Sequence, residues 1–364
     1  MERHALDGVT GAAGAWGKGL TLPPRRVRDY DEDDVRVRPG RRGSRPRTRR
    51  RPAHEDAVGG FVTAVDRGRY RVLVEEAEGG TRTVTAMRAR ELGRKGVVVG
   101  DRVALVGDTS GDPDTLARIV RVEPRTSALR RTADDTDPFE RVIVANADQL
   151  VIVTALADPE PRPRMIDRCV VAAYDAGMDA LLCLTKADLA DPTELAGLYA
   201  PLGVEVAVTA FEPSDGGPPR IRGLDRLRHH LAGRVSVLVG HSGVGKSTLV
   251  NALVPDADRA TGAVNEVTGR GRHTSSSAVA LRLPERDGWV IDTPGVRSFG
   301  LAHVTPQRLL EAFEDLAEVA EERCPRGCTH LADAPDCALD DWVAEADEAT
   351  RELRTARVAS LRRL

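Results

Sequence analysis

The chain has 364 residues and a formal net charge of −3, which gives room for two or three domains and no overall basicity that would announce nucleic acid. Its five cysteines are odd in number, no apolar run approaches the ~18 residues of a membrane span, and the N-terminus lacks a hydrophobic signal region. These features argue against a disulfide framework and a membrane helix, and predict a cytoplasmic protein with reduced thiols.

Residues 1–56 are expected to form a disordered basic arm, because Gly, Ala, Pro and Arg dominate without apolar periodicity. Asp29, Asp31, Glu32, Asp33 and Asp34 precede residues 36–51, which hold nine arginines and no acid. Such a run serves either as an RNA-binding arm or as a solvated, compositionally biased tail.

Residues 57–125 carry short strands with turns, at 60–65, 70–74, 81–86, 97–105 and 117–122. Five strands in so short a span predict a small β-barrel of OB type. Arg67, Arg69, Arg71, Arg82, Arg88 and Arg90 would charge one face for RNA, with Phe61 and Tyr70 the only stacking candidates. Phosphate tracking is thereby favoured over base reading, and a barrel that serves only as scaffold is the alternative.

Residues 126–303 change pattern. A linker over 125–139 leads to apolar runs at 142–146 and 149–154, the signature of buried parallel strands. Helical spacing over 165–176 and a strand at 180–184 follow, with Cys169 and Cys183 on them as core thiols. That strand ends in Thr185-Lys186-Ala187-Asp188, where doubly wound sheets bind ligands. A carboxylate there can accept from guanine N1–H and the exocyclic amine together, whereas adenine would leave it unpaired. The stem of Lys186 can cover the base plane. A strand at 204–208 ends in Thr209-Ala210, whose backbone can meet the base edge.

The strongest signal is Gly240-His241-Ser242-Gly243-Val244-Gly245-Lys246-Ser247-Thr248, set between apolar residues 235–239 and 249–253. Strand, glycine loop and helix with GxxxxGK[ST] spacing make a P-loop. Its backbone N–H groups face phosphate at a helix N-terminus, Lys246 reaches the β/γ-phosphates, and Ser247 offers its hydroxyl to Mg²⁺. Lysine is scarce, four against 49 arginines, so an accidental match is a poor explanation. A polar loop with His273 and Thr274 follows, suited to a mobile switch. An apolar strand then reaches Asp292-Thr293-Pro294-Gly295, the DxxG pattern that senses Mg²⁺ and γ-phosphate.

Residues 304–364 read as a helical zinc-binding domain, with helices over 306–322 and 339–364. Between them lies Cys324-x₃-Cys328-x-His330-x₆-Cys337, a Cys₃His set for a closed structural Zn²⁺ site. On the last helix Arg351, Arg354, Arg357, Arg362 and Arg363 alternate with acids, for example Asp347 with Arg351, as a largely solvated face.

The parts form a GTPase set in permuted order, with TKAD and Thr209-Ala210 ahead of GHSGVGKS, the GRHT loop and DTPG. Over about residues 57–364 the chain closely resembles the ribosome small-subunit-dependent GTPase A family. The resemblance implies an α/β chain: an OB-like barrel, a circularly permuted P-loop GTPase domain with a doubly wound sheet, and a helical zinc domain. It further implies a monomeric GTP hydrolase, with GTP/GDP, Mg²⁺ and one structural Zn²⁺, that binds the 30S subunit and 16S rRNA and no membrane. It would check late maturation, with hydrolysis stimulated by the subunit. By motif, Lys246 and the 240–248 backbone hold phosphates, Ser247 and Thr274 ligate Mg²⁺, Asp292 holds the metal through water, and Gly295 senses γ-phosphate. Thr185, Lys186, Asp188, Thr209 and Ala210 form the guanine site.

Two departures stand out: Thr185 replaces the Asn usual in GTPases, and the cysteine spacing differs from the x₄ and x₅ expected of the family. Val296 stands where Ras-like enzymes orient water with Gln, which predicts slow intrinsic turnover and leaves His273 as the candidate to position water. DTPG runs straight into the zinc segment, so loss of γ-phosphate would move that segment through a short link. A P-loop ATPase or nucleotide kinase, and a non-hydrolysing RNA scaffold, are the rival readings.

Overall fold

Residues 54–92, 96–132, 140–213, 220–255, 278–284, 288–293, 306–311 and 313–363 are described in the computed structural model. Residues 1–53 of the expected 1–56 arm, His273, Thr274, Gly295 and Val296 lie outside them.

Period-two burial builds the first layer. In β2 (Arg69–Glu75), Tyr70, Val72 and Val74 turn inward while their neighbours face out. With β1 (Val58–Asp66), β3 (Thr81–Arg88), β4 (Arg102–Gly107) and β5 (Ala117–Val122) it forms a closed barrel. Antiparallel pairs β1–β2, β2–β3, β4–β5 and β1–β4 are joined by one parallel pair, β3–β5. Val62, Val72, Val84, Leu105 and Ile119 fill its interior. The strand expected over 97–105 starts only at Arg102. Gly100 has φ +92°, and a Cβ there would meet the Ala145 carbonyl at 1.9 Å. Asp101 caps the bend by accepting from Val98 N–H at 2.7 Å, and Val99 is left to bridge Val144.

The second layer is a parallel sheet whose strands are apolar on both faces. β8 (Gln149–Ala155), β9 (Asp179–Thr185), β10 (Glu205–Val208), β13 (Val235–Val239) and β15 (Trp289–Asp292) run in the order β10-β9-β8-β13-β15. Alternate residues serve two cores. Leu150, Ile152, Leu182 and Val237 face α1 (Pro163–Asp175) and the C-terminal helices, in one core with Ile166, Phe313 and Leu339. Val151, Val153, Leu181 and Leu238 face α3 (Leu224–Leu231) and α4 (Lys246–Leu253), packing with Leu227, Leu231 and Leu249. β14 (Val279–Arg282) extends this sheet antiparallel to β15 and then pairs with β1, so the barrel and the parallel sheet share one eleven-stranded sheet.

Three sequence expectations are corrected by the structure. The linker contains β6 (Ala128–Thr132), because Ala128 and Leu129 are buried. Its antiparallel partner β7 (Glu140–Ala145) is the run expected as a parallel strand; it stays outside the main sheet. Each C-terminal helix is also broken in two, giving α5 (Pro306–Glu311), α6 (Glu314–Arg323), α7 (Ala338–Ala344) and α8 (Glu348–Arg363). Asp347 breaks the last pair by accepting from Thr350 N–H at 2.8 Å, as an N-terminal cap does.

The arginines of α8 are not merely a solvated face. Arg363 makes a bidentate pair with Asp167 of α1 at 2.7 and 2.8 Å, and Tyr199 O–H donates to the same carboxylate at 2.9 Å. Burial, then Asp167, hold the Tyr199 phenol well above its usual pKa, so it remains a donor. Arg357 pairs with Asp315, and Arg362 with Asp340. No helix among the described residues is long and apolar enough to cross a membrane.

Candidate nucleotide site

Strands β8, β9 and β10 progress one way from the middle of the parallel sheet, and β13 and β15 the other. The crevice beyond the C-terminal ends of β8 and β13 is therefore the topological switch point, where open α/β sheets take ligands. The glycine loop leaves β13 at this point. Gly245 adopts φ +90° at the N-cap of α4, a conformation that costs glycine little and turns the loop into the helix.

Parallel pairing sets Asp292 opposite Leu238, so the carboxylate ends β15 beside the loop. Lys246 Nζ lies 2.8 Å from Asp292 Oδ1 and donates to the Thr293 carbonyl at 3.2 Å. The Lys246–Asp292 contact is an ion pair without hydrogen-bond alignment, and the buried Oδ1 has no hydrogen-bond donor among the described residues. Thr293, also buried, donates its hydroxyl to the Leu238 carbonyl at 2.8 Å and pins this turn to β13. An acceptor oxygen left short of donors beside a P-loop fits a hydrated cation.

The second motif arrives from β9. Thr185 is buried, and its hydroxyl donates to the Val244 carbonyl within the P-loop at 2.6 Å. Thr185, which stands in place of the usual Asn, thus spends its single proton on the phosphate loop. Lys186 sits at φ +59° with Nζ bonded to the Asp158 carbonyl. Thr209 N–H donates to Leu184 at 2.7 Å, and Ala187 N–H to Thr209 at 3.1 Å, so the 209–210 turn is stitched to the 185–188 turn. Asp188, exposed, accepts from Phe211 N–H at 2.8 Å. The structure thus brings together Thr185, Lys186, Asp188, Thr209, Ala210, the 240–248 loop and Asp292.

Sequence reasoning missed the connection between β8 and α1. Its Asp158 holds Lys186, and its Arg162 contacts His241 Nε2 of the P-loop at 3.2 Å. Nothing local marks these residues; only the adjacency of β8 to β13 puts them at the site. A separate cleft of about 790 Å³ lies at the opposite, N-terminal ends of β13 and β15. Arg102, Arg121, Arg234 and Arg282 line it beside Glu75, Glu123 and Asp148, a nearly balanced charge.

The candidate metal centre lies in the C-terminal segment. Ligand atoms of Cys324, Cys328, His330 and Cys337 all fall within 4.8 Å of one another. Cys324 Sγ is 3.6 Å and Cys337 Sγ 3.9 Å from His330 Nδ1. Tetrahedral zinc with bonds of about 2.0–2.3 Å separates its ligands by about 3.5–3.8 Å, so the four side chains fit. Burial, then Arg362, lower the His330 pKa and keep its imidazole neutral, as a ligand must be. In contrast, burial pushes Cys169 and Cys183 up to about 12, which makes them inert core thiols.

Comparison with known proteins gives a consistent picture. The RsgA GTPase family profile matches residues 122–302. The small ribosomal subunit biogenesis GTPase RsgA of Gemmatimonas aurantiaca is 35% identical over 295 residues, covering 79% of this chain and 92% of that protein. The protein of the same name from Pseudomonas syringae pv. tomato is 39% identical over 249 residues, 67% of this chain and 68% of that one. Among solved structures, YjeQ from Thermotoga maritima superposes with a TM-score of 0.57 at 25% identity, covering 84% of this chain and 98% of that one. YloQ, a circularly permuted GTPase, shares the fold with a TM-score of 0.56 at 23% identity, over 86% of this chain and 97% of that one.

Proposed function

Because the chain belongs to the RsgA GTPase family, we propose that it hydrolyses GTP in small ribosomal subunit biogenesis and does so faster on the 30S subunit itself. The observation that carries the reading is the Thr185–Val244 hydrogen bond. It joins a carboxylate-bearing turn suited to guanine with a loop suited to phosphate, although the two stand in inverted order along the chain.

In this reading Asp188 accepts from guanine N1–H and the exocyclic amine, with the Lys186 stem against the base. Backbone N–H groups of the 240–248 loop and Lys246 hold the phosphates, and Lys246 exchanges Asp292 and the Thr293 carbonyl for phosphate oxygens. Ser247 and Thr274 would ligate Mg²⁺ and Asp292 would hold it through water; bound there, the ion neutralises charge on the transferred phosphoryl group. Gly295 senses the γ-phosphate, and His273 positions the attacking water in the absence of a glutamine at Val296. Cys324, Cys328, His330 and Cys337 hold Zn²⁺, whose four protein ligands leave it a structural part.

The fold offers two routes outward from the site. Val279 pairs with Asp292 on one side and with Ala64 of the barrel on the other, so a single strand, β14, separates the barrel from the metal-sensing strand. Arg363 ties the zinc segment to α1, which follows the connection that touches Lys186 and His241. Contact of 16S rRNA with the barrel would then reach the switches through paired backbone, and contact with the zinc segment through the Arg363–Asp167 ion pair; the protein works as a cytoplasmic monomer. Phosphate release measured with GTP and with ATP, each with and without purified 30S subunits, tests this. Slow release from GTP, raised at least about tenfold by subunits, is expected; equal release from ATP, or none in any condition, overturns it.

A further inference from the structure

Among the described residues the large hydrophobic side chains left exposed are Met87, Leu116, Leu189, Leu198, Phe211, Leu331 and Leu353. A single exposed leucine needs no explanation. The placement of two of these does. Leu189 follows Asp188 directly and is 58% exposed, and Phe211, 47% exposed, donates its main-chain N–H to the Asp188 carboxylate at 2.8 Å. Apolar surface thus brackets the carboxylate assigned to guanine. Phe211 is the aromatic member of the set, in a chain with only 3% aromatics.

Its backbone is held in place. β11 (Ala210–Glu212) pairs antiparallel with β12 (Arg220–Arg222), with Phe211 opposite Ile221. Ile221 packs against the core beneath α3 and α4, and Ala210 is buried. The chain therefore anchors Ala210 and Ile221 and leaves Phe211 half exposed.

We infer that Phe211 is a base-stacking residue, whose ring covers one face of the purine bound at Asp188 while the Lys186 stem lies against the other. The inference rests on the guanine site proposed above. Stacking is tolerant of base identity because every base has a π-face. Phe211 therefore adds affinity for any purine, and discrimination stays with Asp188.

The test is equilibrium binding of GDP, GTP, ITP and inorganic tripolyphosphate to full-length protein carrying Phe211→Ala, Phe211→Trp or Asp188→Asn. For Phe211→Ala, the Kd values of GDP, GTP and ITP should rise together by about tenfold, the GTP-to-ITP ratio should hold, and tripolyphosphate should bind as before. Phe211→Trp should restore affinity, and its added indole fluorescence should fall when GDP binds. Kd values within twofold of the unsubstituted protein overturn the inference, as does an equal weakening of tripolyphosphate, which has no base to stack. If Asp188→Asn leaves the GTP-to-ITP ratio unmoved, the guanine site itself is wrong and the inference falls with it.

Discussion

The two ends of the nucleotide site are built differently. At the base end, main-chain bonds from Thr209, Ala187 and Phe211 fix the turn around Asp188. At the phosphate end, the two charged groups hold each other: Lys246 is paired with Asp292 and bonded to Thr293. In the proposed reading guanine would meet a preassembled edge, whereas phosphate and metal would have to displace an ion pair within the chain. The difference separates recognition from switching. Base affinity is expected to be the same for GDP and GTP, and only the end that rearranges can report the γ-phosphate.

The comparison is broken most severely at Lys246. Lys246→Ala should lower kcat/KM for GTP by at least about 100-fold, and Lys246→Arg should not recover it, because a planar fork does not replace a compact ammonium in the loop. Asp188→Asn comes next. Losing charge-assisted hydrogen bonds to the base costs about 1.5–3 kcal/mol, so GTP affinity measured by calorimetry should fall about 10- to 100-fold. Preference for GTP over ITP, which lacks the exocyclic amine, should disappear with it.

Thr185→Val tests the joint between the ends. Removing the donor breaks the bond to the Val244 carbonyl, and GDP and GTP should weaken together by about fivefold, with Thr185→Ser restoring both. A change in the GTP-to-ITP ratio instead would mean that Thr185 reads the base. The smallest expected effect is at Cys183, two residues before Thr185 on β9. Burial pushes this thiol up to about 12, so at pH 8 it is protonated and unreactive. Alkylation at that pH, followed by mass spectrometry, should leave Cys169 and Cys183 unmodified in the folded protein.

Local spacing made the P-loop, the TKAD turn, the five barrel strands and the Cys₃His set legible in the sequence, because each depends on neighbours a few residues apart. What depends on distant partners was not legible. Thr185 belongs to the TKAD turn in the sequence, and only the fold puts its hydroxyl on Val244, 59 positions away. Arg363 looked like a solvated helix charge, but its partner Asp167 lies 196 positions away. β7 carries the apolar run of a parallel strand and yet pairs antiparallel with β6, since a short apolar run specifies burial and not its neighbour. Gly100 cut an expected strand because the approach of Ala145, which requires glycine there, is a tertiary event.

The central proposal is a carboxylate, Asp188, that would select guanine beside a loop that would hold phosphate. Competition of GTP, ITP and ATP for the same site on the full chain tests it most directly. The account predicts that GTP binds about tenfold more tightly than ITP and at least about 1,000-fold more tightly than ATP, the loss expected when a site built to hydrogen-bond its ligand meets one that cannot respond. ATP binding within tenfold of GTP would contradict it.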